Sequence, residues 1–541
     1  MKKIICSALF FAMLLTSLTG CGYVTRSKAA TACLVAHNGA IPEAVADIDC
    51  QGGYVSSGNS SGVSNYPVSY GIEEYGSEDF NTEEYNVIEE NSFTEVSLSP
   101  LSTFAADVDT GSYCNLRRMV NGGWMLDNIA SSVRTEEIVN YFDYTVDSTD
   151  NVFSVQYSVG DCPWNEDNKL LVMTMQANSE VNVPNEGNNF VFLIDSSGSM
   201  EGADRLDMAI DGFKLLASRL GPQDRVSIVT YSGSSDTILE GSNDYDEICD
   251  ALDEIVASGG TNGSGGIEAA YECASDNFIE NGNNRVILAS DGDMNLGVTS
   301  QSGLVDLIKE KKETGIFLTT LGFGSGNYSD ANMESIADAG NGNYFYIDSI
   351  DEAERVLCEK MMQSMVTVAK DVKFQVEFNP AEVYAYRQIG YENRQMAASD
   401  FTDDTKDGGE IGAGAQVTVC YELVPMSSVT GDEDGLRYQD SVLSEEASSG
   451  ELCTVSVRYK EPDSDESTEI EYPLVDCGIT NEEDFNFICG IIETSMLMRD
   501  SEYAGSATFD TAYELAMSGA GGNRYREEFC DMILKIEDSI D

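Results

Sequence analysis

The middle of the chain alternates between two patterns. Short apolar runs at residues 190–194, 226–231, 286–289, 316–323 and 344–347 read as buried strands. Between them the apolar residues recur at helical spacing. In residues 206–220 they are Leu206, Ile210, Phe213, Leu216 and Leu220, one face of a helix. Residues 245–256, 265–279, 304–312, 332–339 and 353–365 follow the same rule. Strands alternating with helices predict βαβ units, and hence an α/β fold with a doubly wound, mostly parallel sheet covered on both faces. Gly221-Pro222 ends the first of these helices, and Gly340 and Gly342 close a later one.

On either side the period falls to two. Residues 153–159, 170–175, 372–378, 416–423, 454–459 and 469–472 predict half-buried strands. Because they both precede and follow the α/β segment, we expect a β-sandwich built from both flanks, with the α/β domain inserted between its strands. Three consecutive domains are the alternative. Residues 482–498, 508–517 and 525–536 are helical by spacing. The expected division is a leader at 1–20, a tether at 21–97, a β-rich N-terminal region at 98–185, the α/β domain at 186–368, and a β-sandwich with C-terminal helices at 369–541.

The candidate chemistry sits where the apolar runs end. Residues 190–194 run into Asp195-Ser196-Ser197-Gly198-Ser199, so a buried strand delivers a carboxylate and hydroxyls to its carboxyl end, where open α/β sheets bind ligands. Gly259-Gly260-Thr261 lies between two helical stretches, and its glycines let the chain turn tightly and bring the Thr261 hydroxyl inward. Residues 286–289 lead into Ser290-Asp291-Gly292, a second strand-to-acid junction. All these groups are hard oxygen donors, suited to magnesium, calcium or manganese rather than to zinc or copper. The same residues also fit a nucleotide-binding α/β domain with acidic loops.

Asp195, Ser197, Ser199, Thr261 and Asp291 together resemble the metal-ion-dependent adhesion site of von Willebrand factor type A domains. The resemblance implies that the Ser197, Ser199 and Thr261 hydroxyls bind Mg²⁺, or Mn²⁺ or Ca²⁺. It implies that Asp195 and Asp291 act through water, and that the Asp or Glu of a protein or peptide partner fills an open coordination position. By the same resemblance, the last helix of the domain, at residues 351–365, is a segment that shifts with affinity. The flanks are similar to those of a family of bacterial lipoproteins that carry such a domain. The matching segments are residues 101–113 and 134–142, Asp161-Cys162-Pro163-Trp164-Asn165, Phe378-Asn379-Pro380-Ala381, residues 389–394 and residues 499–506. The similarity runs from Leu98 to Asp541.

The amino terminus bears on location. Lys2 and Lys3 precede an apolar stretch at residues 4–18, too short to span a bilayer in the usual way, and Leu18-Thr19-Gly20-Cys21 follows. This resembles a bacterial lipobox, which implies a lipid on Cys21 and anchorage to the cell membrane or outer membrane, outside the cytoplasm. A plain signal peptide is the alternative. Residues 52–76 are rich in Gly, Ser, Asn and Tyr and residues 73–91 are acidic, a composition that buries too little apolar surface to fold alone.

Composition then removes options. A formal net charge of −64 repels nucleic acid and anionic membrane. The single histidine, His37, falls in the tether, which removes Ser-His-Asp and Cys-His catalysis from the folded part. Of 14 cysteines, none forms a CxxC pair; Cys249, Cys273, Cys358, Cys420 and Cys453 lie in predicted helices or beside strands and read as ordinary thiols. Asp107 and Asp109 read as a turn closed by Gly111, with a second cation site as the alternative. The expected protein is a recognition protein and not an enzyme. A metal-indifferent envelope scaffold and a magnesium-dependent hydrolase are the competing readings, the latter lacking any base that can be named.

Overall fold

The computed structural model describes residues 88–106, 109–124, 129–179, 186–292, 301–324, 330–360, 367–406, 408–429, 443–462, 464 and 466–540. The leader, Cys21, His37, the tether up to residue 87, and Asp107 lie outside the described residues.

The α/β domain is a six-stranded sheet. Across it run Tyr344–Tyr346, Ile316–Gly322, Asn283–Ser290, Asn188–Asp195, Arg225–Tyr231 and Ser235–Ser242. All pairings are parallel except the last, an antiparallel edge. The strand order reverses beside Asn188–Asp195, and a crevice opens at the carboxyl end of such a reversal. The two strands flanking it, Asn188–Asp195 and Asn283–Ser290, are buried at every position, as expected of parallel strands covered on both faces. Leu206–Ala217 and Tyr245–Asp253 cover one face, where Phe213 stacks on Phe192 at 4.2 Å. Gly263–Asp276, Gln301–Lys312 and Asp330–Ala339 cover the other through Ile267, Leu304, Ile308 and Ile336. The edge strand Ser235–Ser242 has no counterpart among the sequence expectations. Its SDTILEGS sequence is mostly polar and has no buried position, so it carries no long apolar run, which also protects an open edge from pairing with other chains.

The flanks form two further sheets. One runs Thr94–Glu95, Val383–Ile389, Gln416–Pro425, Lys169–Ala177, Phe153–Asp161. The other runs Gly409–Gly412, Thr367–Phe378, Glu451–Lys460, Ser467–Val475, with Leu101–Ala105 also paired to Thr367–Phe378. Strands from before and after the α/β domain therefore lie side by side: Leu171 opposes Tyr421, and Phe104 opposes Phe374 with its ring stacked at 5.1 Å. The α/β domain leaves this sandwich after Lys169–Ala177 and returns at Thr367.

The strands of the region 98–185 are accompanied by two helices, Gly111–Asn121 and Thr135–Tyr141, that the sequence pattern did not mark. They join Glu482–Met498, Phe509–Ser518 and Arg524–Ile540 in one apolar core that covers the outer face of the first sheet and reaches Tyr344 and Tyr346 of the α/β domain. Helix Gly111–Asn121 is enclosed on most sides, and its buried Asn115 and Arg117 interrupt the apolar spacing that would have marked it. The tether also ends short of residue 97. Asn91 donates to the carbonyls of Gln388 and Gly390, Phe93 meets the ring of Tyr503 edge-on, and Val96 is buried. Apolar anchors, the Asn91 hydrogen bonds and the pairing of Thr94–Glu95 with Val383–Ile389 together dock a segment whose composition is acidic and polar. Asp109 accepts from the backbone N–H of Tyr344 and pairs with Arg394 at 3.1 Å, which makes it a structural tie to the α/β domain. Gly111 opens the helix that follows; a side chain there would collide with the Tyr344 ring.

Candidate metal centre

Asp195 ends the strand at the sheet reversal and is fully buried. One carboxylate oxygen accepts the Ser197 backbone N–H at 2.9 Å; the other accepts the Ser290 hydroxyl at 3.0 Å and the Tyr231 hydroxyl at 3.2 Å. All three donors are neutral. The Ser197 and Ser199 hydroxyls lie 2.9 Å apart. The segment leading to Thr261 is stitched to this loop by backbone bonds. Ser258 N–H donates to Ser196 C=O at 2.7 Å and Gly198 N–H to Gly259 C=O at 3.1 Å, which sets half-buried Thr261 two residues beyond. Gly259, at φ +84, makes this turn. Asp291 is also fully buried, one residue past the neighbouring strand. Ser290 Oγ accepts from Gly292 N–H at 3.1 Å, with Gly292 at φ +77.

The electrostatics are those of a place that lacks positive charge. Burial pushes the Asp195 carboxyl up to about 6; the Ser197 and Ser290 hydrogen bonds work against this and nearby Asp291 adds to it. Two buried carboxylates beside paired hydroxyls are a donor set fit for a hard divalent cation. Ser197, Ser199 and Thr261 would supply hydroxyl ligands and the two Asp residues charge. Sequence reasoning missed Tyr231, Ser290 and Arg205. The first two orient Asp195, and Arg205 donates from its guanidinium to the Ser199 carbonyl at 2.5 Å, holding the serine loop down. Ser290 was legible as the neighbour of Asp291; Tyr231 looked like the end of an apolar strand.

The segment after the last strand is tied to the flanks. It is a short α-helix, Ile350–Glu354, continuing as a π turn through Arg355–Lys360; residues 361–366 lie outside the described residues. Buried Glu352 accepts from Arg117 at 2.8 Å, Arg355 at 3.1 Å and the Tyr141 hydroxyl at 2.7 Å. Asp348 takes a two-pronged contact from Arg117 at 2.6 and 2.7 Å. Burial raises the Glu352 carboxyl, but Arg355 and Arg117 outweigh it and hold the group below its ordinary value. Cys114, Asp348 and Glu352 cluster closely enough to resemble a ligand set, yet Arg117 already supplies the positive charge among them.

The family model described as von Willebrand factor type A domain matches residues 190–293, and one described as von Willebrand factor matches residues 79–172. A third, described as Uncharacterized protein YfbK, C-terminal, matches residues 363–538. Uncharacterized protein YfbK of Escherichia coli K12 is 40% identical over 453 residues, covering 81% of this chain and 78% of that protein. The chain belongs to the YfbK family. Its inserted α/β domain is of the von Willebrand factor type A class, and the sandwich strands that follow this domain, with the C-terminal helices, lie in the part matched by the YfbK model. Inter alpha-trypsin inhibitor heavy chain 4 of Mus musculus is 25% identical over 184 residues, 31% of this chain and 19% of that protein. Among solved structures, von Willebrand factor type A from Catenulispora acidiphila covers 72% of this chain and 91% of its own at 15% identity, with a TM-score of 0.40. BatB from Bacteroides thetaiotaomicron covers 32% and 98% at 22% identity, with a TM-score of 0.29. Proximal thread matrix protein 1 from the mussel byssus, in a form with a zinc occupied MIDAS motif, covers 32% and 45% at 20% identity, with a TM-score of 0.28.

Proposed function

We propose that this YfbK-family chain is an envelope-anchored recognition protein, not an enzyme, that holds a divalent cation at Asp195, Ser197, Ser199, Thr261 and Asp291 and captures a protein or peptide partner through its Asp or Glu side chain. The observation that carries the reading is the pairing of two fully buried carboxylates with adjacent hydroxyls at the sheet reversal. A partner carboxylate that sheds its water meets a positive charge held in a protein wall, where the attraction is screened little. Magnesium is the cation we assign, with manganese and calcium able to use the same oxygens.

Calorimetric titration of the chain carrying Cys21→Ser with each metal is expected to show one site. Partner capture is expected to be lost in chelator. Because a proton on Asp195 competes with the cation, affinity should fall as pH drops below about 6, approaching tenfold per pH unit. Absence of any metal binding at pH 7.5 would sink the cation reading and favour a metal-indifferent scaffold.

The anchor rests on Leu18-Thr19-Gly20-Cys21. No helix among the described residues is long and apolar enough to cross a membrane. A lipid on Cys21 predicts that the chain sediments with membranes and that Cys21→Ser releases it to the soluble fraction. Co-sedimentation of the Cys21→Ser variant would remove the lipid from the proposal.

A further inference from the structure

Strand Asn283–Ser290 leads to Asp291 at one end and carries Arg285 at the other, so the two lie at opposite edges of the sheet. Arg285 points into a cavity of about 260 Å³ between the α/β domain and the sandwich. The residue is 3% exposed. Its guanidinium donates to the Thr319 hydroxyl at 2.7 Å and lies 5.7 Å from the Phe317 ring, while its Nε has no partner. Burial lowers its pKa to about 10, with Glu410 acting the other way. The second arginine in the wall, Arg394, is by contrast already paired with Asp109 and Asp338.

Glu410 stands on the sandwich side, where Asn341 donates to it at 3.0 Å. Its neighbour Gly409 leaves bare backbone in the wall, since a Cβ there would meet the Ala106 carbonyl. The cavity thus presents a planar cation on one wall and a carboxylate on another. A guanidinium fork matches a carboxylate two-pronged. The acids Glu410, Asp338 and Asp109 disfavour a multiply charged anion such as phosphate, and favour a ligand that brings its own cation. Clefts between domains with a few convergent polar groups are common small-molecule sites.

We propose that this cavity binds a small zwitterion of the free α-amino acid class, its carboxylate on Arg285 and its ammonium toward Glu410. Such a ligand bridges the α/β domain and the sandwich, independently of the metal centre. The test is calorimetry and thermal unfolding of the chain carrying Cys21→Ser, with the standard amino acids one at a time and with acetate, methylammonium and inorganic phosphate as partial probes. At least one amino acid is expected to bind and raise Tm, with acetate and methylammonium at least tenfold weaker. Arg285→Met should abolish that binding and Glu410→Gln should weaken it at least tenfold, whereas Asp195→Asn should leave it unchanged. If Arg285→Met fails to fold, the half-buried Glu410→Gln decides. The proposal is overturned if no amino acid binds, if Glu410→Gln binds as the parent does, or if acetate or phosphate binds as tightly as the amino acid.

Discussion

Asp195→Asn is expected to abolish divalent-cation binding while leaving the chain folded. Asn keeps the shape of Asp and can still accept from Ser197 N–H, and the Ser290 and Tyr231 hydroxyls can turn to suit an amide. What disappears is one of two buried negative charges, and with it the reason for a cation to leave water. The loss in affinity should exceed the ~10–100-fold that follows from removing an outer-sphere partner. Stability should respond in the opposite sense. In chelator, the Asp195 carboxyl titrates at about 6 in the fold, against roughly 3.9 in an unfolded chain. A raised acid pKa means that the protonated form favours the fold, so this group's contribution is lost as pH rises from about 4 to about 6, a span worth at most about 3 kcal/mol. Metal-free Asp195→Asn should therefore melt no lower than the parent at pH 7.5, and the advantage should vanish near pH 4. Calorimetry with magnesium and thermal melts in chelator check both halves. Retained binding, or a variant that unfolds in chelator at pH 7.5, would mean that Asp195 serves the fold and not the cation.

Arg117→Ala is expected to cost the fold about 3–5 kcal/mol, the penalty for leaving buried carboxylates without their partner. Arg117 reaches Asp348, Glu352 and Glu528 at 2.6, 2.8 and 3.1 Å. Its removal leaves the Asp348 and Glu352 side chains buried together, with Arg355 facing Glu352 at 3.1 Å. Arg117→Lys should recover only part, because an ammonium cannot span both Asp348 oxygens. The exposed pair Lys214–Asp253 is the control: though it closes to 2.5 Å, its loss should cost less than about 1 kcal/mol. Urea unfolding gives both numbers. A cost for Arg117→Ala no larger than the control's would show that the cluster contributes nothing net.

The parts of this molecule that could be read from sequence are those where burial and chemistry coincide with spacing. The strands under Asp195 and Asp291 are continuous apolar runs because both faces are covered, and an acid at the end of such a run stands out. The glycine pair before Thr261 was equally visible. What stayed hidden depends on partners far away in the chain. Arg117, Glu137, Glu352 and Lys373 look like solvated positions, yet each is buried against an opposite charge. Strands Leu101–Ala105 and Val383–Ile389 carry Ser102, Thr103, Arg387 and Gln388 inside, so neither alternates clearly. Gly111–Asn121 was missed for the same reason: its helical face packs against other helices and binds charge, and no local pattern records that.

The side-by-side strands from either end of the chain also dictate an order of assembly. The α/β domain is continuous in sequence and can collapse as soon as it has emerged. Strand Lys169–Ala177 must wait for Gln416–Pro425, and Leu101–Ala105 for Thr367–Phe378. Pairings of such long sequence separation carry the loop-closure entropy that makes folding slow. In the meantime Phe104, Leu171 and Met173 would be uncovered apolar edge residues, the kind of surface that aggregates. A chain that emerges from its amino end exposes those strands first and shelters them last, so its early life depends on whatever keeps half-made sheets apart until residue 475 arrives.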